Sequence, residues 1–129
     1  MSEKQVLVCV TGQKSCERLI AAGARNARAL GAGLTVLHVA RSSGQVLGGL
    51  NEAEALEYLY HKATEYGGDM TVVRADDVLE AIQQQARRID AALIVTGRAA
   101  NYNGWDLLDE LQQRLPDVPF KILSTTERG

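Results

Sequence analysis

Short apolar runs alternate along this chain with longer segments in which apolar residues recur every three or four positions. The apolar runs are Val6 to Val10, Leu34 to Val39, Met70 to Val73, Ala92 to Val95 and Phe120 to Leu123. Each run has the length of a buried strand, and the segments between them have the length and period of helices. Strands and helices in alternation are typical of parallel βαβ units, so the pattern predicts an α/β fold.

The helical segments carry start and stop signals. Suitable N-cap residues precede the first three of them, namely Ser15, Asn51 and Asp77. Glutamates three positions later complete capping-box patterns on the second and third helices. A fourth helix is expected to begin at Asn103 or Gly104. The expected stops are Gly31, Gly67-Gly68 and Pro116.

Each predicted helix has one apolar stripe, which we expect to face the sheet. The stripes are Cys16, Leu19, Ile20, Gly23, Ala27 and Leu30 on the first helix; Leu56, Leu59, Tyr60, Ala63 and Tyr66 on the second; Leu79, Ile82, Ala86 and Ile89 on the third; and Trp105, Leu108, Leu111 and Leu115 on the fourth. The small residues of the first stripe favour close packing of that helix on the sheet.

Strand composition predicts the order of the strands in the sheet. A strand that is buried on both faces reads as a continuous apolar run, whereas an edge strand tolerates polar residues. Thr71 in the third strand, and Lys121 after Pro119 in the fifth, are such polar positions. We therefore predict one doubly wound, five-stranded parallel sheet in the order 3-2-1-4-5, with helices on both faces, in a single domain over residues 1–129.

This order reverses direction between the first and fourth strands. Doubly wound sheets bind ligands outside the carboxyl ends of the strands at such a reversal. Residues Thr11 to Glu17 would there face Thr96 to Gly104, beside a Gly/Ser-rich loop from Arg41 to Leu50 that we expect to be mobile. The candidate ligand-binding residues are Thr11, Gly12, Val39, Arg41, Gly97 and Arg98.

Charge and composition exclude several classes of function. The chain has 14 Lys plus Arg against 16 Asp plus Glu, a balance that gives no long-range field for a nucleic acid or an anionic membrane. Two cysteines fit neither a disulfide framework nor a zinc site, and the polar start lacks the apolar core of a signal peptide. No apolar run approaches membrane-spanning length. A cytoplasmic protein that binds no nucleic acid or membrane is expected.

Catalytic and metal-binding patterns are not found. Thr11, Ser15, Ser42 and Ser43 do not sit in a nucleophile elbow with a base nearby. His38 and His61 share no ligand spacing with a cysteine or carboxylate cluster, so no metal site is expected. Cys9 and Cys16 are interpreted as small buried apolar side chains. We expect no catalytic residues and no enzymatic activity.

Three arginines follow closely on predicted strand ends. Arg41, Arg74 and Arg98 could form a rim at one edge of the sheet, with Lys14 nearby, and such a rim could hold a phosphate or carboxylate without any glycine cradle. The alternative is that they are solvated ends that pair with Asp76, Asp77 or Asp106.

The strands and the first helix together resemble the universal stress protein family over nearly the whole chain. The resemblance is carried by Val6 to Val10, the small-residue helix Arg18 to Leu30, Leu34 to Val39, Leu93 to Gly97 and Val118 to Leu123, in the family's order and spacing. The opening stretch, with Ser15 to Ile20, is also similar to the stress-protein-like segment of potassium-sensing histidine kinases. The family has the predicted fold.

The resemblance also bears on nucleotide binding. Members that bind ATP carry an Asp at the end of the first strand and a Gly-x2-Gly-x9-Gly-Ser/Thr run after the fourth. Here Thr11 stands at the Asp position, Gly97 matches the first glycine, Ala100 replaces the second, and Glu110-Leu111 stand where the last pair would be. Gly97-Arg98, followed shortly by Trp105, instead resembles the branch of the family that lacks the motif and acts as a dimeric stress-response regulator.

The resemblance leaves more than one function open. The first expectation is a non-enzymatic regulatory homodimer without a cofactor, paired through the fifth strand by Phe120, Ile122 and Leu123, although Pro119 and Lys121 oppose such pairing. The alternative is a domain that binds ATP, AMP or a cyclic dinucleotide at a degenerate phosphate loop, and that could be weakly hydrolytic. A third is a detached sensor module for a membrane kinase.

Overall fold

Strands and helices alternate along the part of the chain that the computed structural model describes, which is residues 4–10, 16–40, 52–98 and 107–124. The elements are β1 (Gln5–Val10), α1 (Cys16–Leu30), β2 (Gly33–Ala40), α2 (Glu52–Glu65), β3 (Asp69–Arg74), α3 (Val78–Arg88), β4 (Ala91–Arg98), α4 (Leu107–Arg114) and β5 (Phe120–Ser124). Every predicted strand is confirmed, and most extend by one to three residues beyond the apolar run.

The strands form one five-stranded sheet in the order β3-β2-β1-β4-β5, and all of its pairs are parallel. The predicted order is therefore confirmed. β1 lies at the centre and its Val6, Leu7 and Val8 are fully buried, whereas Thr71 and Lys121 lie on the two edge strands. A central strand must be apolar on both faces because helices cover both.

Alternate residues of the strands feed two separate cores. Val6, Val8 and Val10 of β1 pack with residues of α1 and α2, whereas Leu7 and Cys9 pack with residues of α3 and α4. Successive side chains of a strand point to opposite faces, so each face of the sheet has its own layer of helices. The doubly wound architecture follows from this division.

The third helix has the predicted N-cap. The Asp77 carboxylate accepts a hydrogen bond from the backbone N–H of Glu80 at 3.1 Å. Leu79, Ile82 and Ala86 are then buried one helical turn apart. The N-cap satisfies one of the free N–H groups at the start of the helix, which fixes where α3 begins.

Two of the predicted stripe positions are wrong. Leu30 is 50% exposed because it is the last residue of α1, beyond which the chain turns away at Gly31 with a positive φ. Tyr60 is 55% exposed because it lies about 100° around α2 from the buried Leu59, at the margin of the apolar face. Trp105 and the side chain of Leu108 lie outside the described residues, as does the loop from Arg41 to Leu50.

Candidate functional site

The sheet reverses its winding direction between β1 and β4, as predicted. The two strands pair from Gln5 and Ala91 up to Val8 and Val95, with a register irregularity after Gln5. Beyond this ladder β1 continues to Val10 and β4 to Arg98. The carboxyl ends of both strands therefore meet at the same edge, where a ligand of a doubly wound sheet would lie.

The described residues place half of the candidate ligand-binding set at this edge. Gly97 is half-buried near the end of β4, and Arg98 is the last residue of that strand. Val39 is half-buried near the end of β2 and packs against the core of the α3 and α4 face. Thr11, Gly12 and Arg41 lie outside the described residues, as does the side chain of Arg98. The strand ends that border the site are therefore described, whereas the residues that follow these strands in the sequence are not.

His38 is a buried polar residue at the same edge. Its side chain is 2% exposed, and it stands opposite Val10, the last residue of β1, on the face that α1 and α2 cover. The spacing of metal ligands in the sequence does not single out His38, because no cysteine or carboxylate cluster accompanies it. The signal that marks His38 in the sequence is an ionisable residue inside the mostly apolar run of an inner strand.

The arginine rim is wide. Arg74 is exposed at the end of β3, and the order β3-β2-β1-β4 separates it from Arg98 by three strand spacings. At about 4.8 Å per spacing, the two main chains lie roughly 14 Å apart. Only if both side chains extended toward each other could they hold one small anion. Arg41 follows Ala40, the pairing partner of Arg74, in the sequence and lies outside the described residues.

Cys9 is not a reactive thiol. It lies in β1 among apolar side chains, and burial raises the pKa of its thiol to about 12. A thiol with such a pKa is almost entirely protonated at neutral pH, and the thiolate is the nucleophilic form. The interpretation of Cys9 as a buried apolar residue is confirmed. Over residues 4–10, 16–40, 52–98 and 107–124, no group of three or more His, Cys, Asp or Glu side chains could hold a metal ion.

An ion pair ties the first turn of α1 to α2. Lys62 Nζ donates to Glu17 Oε2 at 3.3 Å and to Glu65 Oε1 at 3.4 Å, and it lies 5.8 Å from the centre of the Tyr58 ring. The hydrogen bond to Glu17 is the main cause that raises the pKa of Lys62. This contact holds the first turn of α1, which begins directly after residues 11–15 in the sequence, against α2.

The fifth strand forms an edge of the sheet, with the three residues predicted for pairing on it. Phe120 packs on the core of the α3 and α4 face, whereas Leu123 packs on the core of the α1 and α2 face. Ile122 lies between them, opposite Thr96 of β4. All three are half-buried, so each keeps some solvent-exposed surface.

Within the described residues, no helix has the length and apolar character to cross a bilayer.

Comparison with known proteins places these features in a family. Residues 3–109 match the sequence model of the universal stress protein family. The sensor protein KdpD of Mycobacterium tuberculosis is 34% identical over 109 residues, which are 84% of this chain. The chain spans 12% of the length of the curated relatives that it matches.

Solved structures share the fold. A universal stress protein in complex with cAMP superposes with a TM-score of 0.70 at 17% identity, over 98% of this chain and 100% of that chain. The universal stress protein from Archaeoglobus fulgidus in complex with dAMP superposes with a TM-score of 0.64 at 17% identity, over 96% and 98% of the two chains. At such identity, the likeness concerns the fold alone.

Proposed function

This chain belongs to the universal stress protein family, and we propose that it is a non-enzymatic regulatory domain that acts as a homodimer through a protein partner and has lost ATP binding. The observation that carries this proposal is the sequence that follows Gly97 near the end of β4. Arg98, Ala99 and Ala100 come next, so the glycine that would let the main chain approach a phosphate closely is missing.

The physical basis is the access of backbone N–H groups to phosphate oxygens. Glycines let the main chain approach a phosphate closely, and a helix start then adds its positive dipole end. Where a Gly-Ser/Thr pair would be expected, Glu110 and Leu111 lie inside α4. The Glu110 carboxylate accepts hydrogen bonds from Arg114 at 3.3 and 3.4 Å, and Leu111 is buried. Neither residue can supply the missing part of a cradle.

The partner-binding part of the proposal draws on the relation to KdpD. The related segment is a small share of a much longer sensor protein. A domain of this kind, here taking up residues 1–129 in the cytoplasm, would act through contacts with other protein segments rather than through chemistry. One candidate partner is a segment of a sensor kinase. Binding to a sensor kinase would then be its regulatory output.

The second candidate function is nucleotide binding. It is favoured by the neighbours of the same fold that were solved with cAMP and dAMP. In this chain the ligand would use Thr11, Gly12, Val39, Gly97 and Arg98, with Arg41 or Arg74 supplying charge in place of the glycines. A nucleoside monophosphate or cyclic nucleotide has fewer phosphate groups than ATP and needs a smaller cradle. The loss of the ATP-binding glycines therefore leaves room for a smaller nucleotide ligand.

Thermal unfolding with ATP, AMP, cAMP and a cyclic dinucleotide separates the two functions. A ligand at 100 times its dissociation constant adds about 2.7 kcal/mol to the free energy of unfolding. We expect no change of the melting temperature with any of the four, and no ATP hydrolysis. Saturable stabilisation by a nucleotide that Gly97→Val abolishes would overturn the first proposal and establish the second. Ala29→Val, at an exposed position near the end of α1, is the control for a general effect of introducing a valine.

A further inference from the structure

The exposed side of α1 carries a stripe of arginines that the proposed function does not use. Arg18, Arg25 and Arg28, here called the basic stripe, are all exposed. They are spaced by seven and three residues, which places them along one side of the helix over about 15 Å. The opposite side of the helix carries Leu19, Ile20, Gly23 and Ala27, which are buried against the sheet.

The basic stripe has no acidic partner within the described residues. None of its three arginines forms a salt bridge or a side-chain hydrogen bond with residues 4–10, 16–40, 52–98 or 107–124. By contrast, Arg87 pairs with Asp117 and Arg114 pairs with Glu110. The acidic residue of α1, Glu17, pairs with Lys62. Three arginines are thus presented to solvent at fixed positions along the backbone of α1, on a chain whose net charge is −2.

The surface between the arginines is small and nearly flat. Ala21 and Ala29 lie on the same side of α1, and neither projects beyond its methyl group. A second helix can approach such a surface closely, and its side chains repeat with the same 1.5 Å rise per residue. Carboxylates on that helix can therefore match the guanidinium spacing, and guanidinium groups pair with carboxylates through two parallel hydrogen bonds.

We propose that the basic stripe is the docking surface for an acidic α-helix of a partner protein, with carboxylates at positions i, i+3 and i+10 so that the two helices run antiparallel. This inference rests on the proposed function, since it names the kind of partner that the regulatory domain engages. It adds the surface, the charge and the geometry of that contact.

Other occupants fit the described surface less well. A nucleic acid would need a broad positive field, and the chain as a whole is acidic. A membrane surface would need large apolar side chains between the cations, and that position is held by alanines. A second copy of this chain would offer the exposed carboxylates of its α2. Two of these carboxylates already have partners within their own chain, since Glu65 contacts Lys62 and Glu57 lies 3.9 Å from His61.

An NMR titration of the full chain tests the proposal at low salt. The probe is a synthetic, alanine-rich helical peptide with glutamates at i, i+3 and i+10, and its control has the same composition with glutamates at i, i+2 and i+5, which do not share one side. We expect amide shift changes confined to α1 and an affinity about tenfold higher for the first peptide, as three exposed ion pairs allow. Equal affinity for both peptides would overturn the proposal.

Charge reversal supplies the matched variants. The double variant Arg25→Glu with Arg28→Glu should abolish the difference in affinity between the two peptides. Arg88 is an exposed arginine on α3 without an ion pair among the described residues, and Arg88→Glu should leave that difference intact. Far-ultraviolet circular dichroism checks that both variants are folded. An equal loss in Arg88→Glu would show general charge attraction and would contradict the docking surface.

Three further arms identify other occupants. Tighter binding of a DNA duplex or of phosphatidylglycerol vesicles to α1 would overturn the assignment to a protein helix. Salt-sensitive self-association that the double variant abolishes would assign the surface to a second copy instead. The peptide titration uses no nucleotide, and the thermal unfolding experiment with nucleotides does not probe the basic stripe, so the two experiments can fail independently. A negative peptide titration therefore rejects the basic stripe and leaves the proposed function standing.

Discussion

At the scale of single residues, the contact between Arg87 and Asp117 joins two parts of the chain that are distant in sequence. Arg87 Nη1 donates to Asp117 Oδ2 at 2.9 Å, which links the end of α3 to the turn before β5. Both side chains are largely exposed, so solvent screens their attraction. The hydrogen bond nevertheless favours the ionised carboxylate, and it is the main cause that lowers the pKa of Asp117.

We predict that this pair gives the protein an acid-sensitive contribution to stability. The pKa of Asp117 in the folded chain is below its ordinary value of 3.8. The contribution is therefore complete above that ordinary value, and it is lost as the pH falls through the lower pKa of the folded state. Arg87→Gln should return the pKa of Asp117 toward the ordinary value in an NMR titration of the carboxyl carbon. The neighbouring Arg88→Gln should not, and an unchanged pKa in Arg87→Gln would contradict the prediction.

Residue burial could be predicted from the sequence where a residue lies well inside the apolar face of its element. Cys9, Leu59 and Ile82 are buried as their positions in the patterns indicate. The apolar Leu30 and the aromatic Tyr60 are exposed, although both fit the helical period of their apolar stripes. A periodic pattern gives the direction of a side chain but not whether a neighbour extends far enough to cover it, and coverage ends at helix termini and at the margins of the apolar face.

At the scale of elements, the close packing of α1 on β1 depends on Gly23. A Cβ atom at this position would overlap Cγ2 of Val8 and would lie 3.1 Å from Cδ1 of Leu34. Val8 is fully buried in the central strand, and its β-branched side chain is stiff. Neither the helix nor the strand can give way without disturbing the core between them.

Gly23→Ala should therefore destabilise the protein although alanine is the better helix former. Overpacking costs about 1–3 kcal/mol, against roughly 1 kcal/mol gained in helix propensity. We expect a net loss of about 1 kcal/mol in the free energy of unfolding, measured by urea denaturation. The double variant Gly23→Ala with Val8→Ala should lose less than the sum of the single changes. A stabilised Gly23→Ala would show that α1 is not packed as described.

The elements themselves could be predicted because each has its own period and its own stop signal. Asp77 marks the start of α3 and Gly31 the end of α1, and both signals act locally. The extension of β4 to Arg98 could not be predicted. Thr96, Gly97 and Arg98 carry no apolar pattern, and they are strand residues because they pair with Ile122, Leu123 and Ser124 of β5. Pairing with a distant segment is not visible in local periodicity.

At the scale of the whole molecule, the strand order follows from which runs are apolar on both faces. The same reasoning locates the candidate site, because the order fixes where β1 and β4 end together. It cannot fix the site's chemistry. Thr11, Gly12 and Arg41 of the candidate set follow the last residues of β1 and β2, where no repeated pattern in the sequence indicates which groups converge.

The two edges of the sheet allow a matched test of the proposed homodimer. Ile122 lies at the middle of the edge strand β5, whereas Val72 is 40% exposed on the opposite edge strand β3. If two copies pair through β5, Ile122→Lys places two like charges near the two-fold axis, where they repel and are desolvated. Sedimentation velocity over a range of concentrations should then show a dimer for the native chain and for Val72→Lys, and a monomer for Ile122→Lys. A native chain that is monomeric throughout, or a dimer that only Val72→Lys disrupts, would refute pairing through β5.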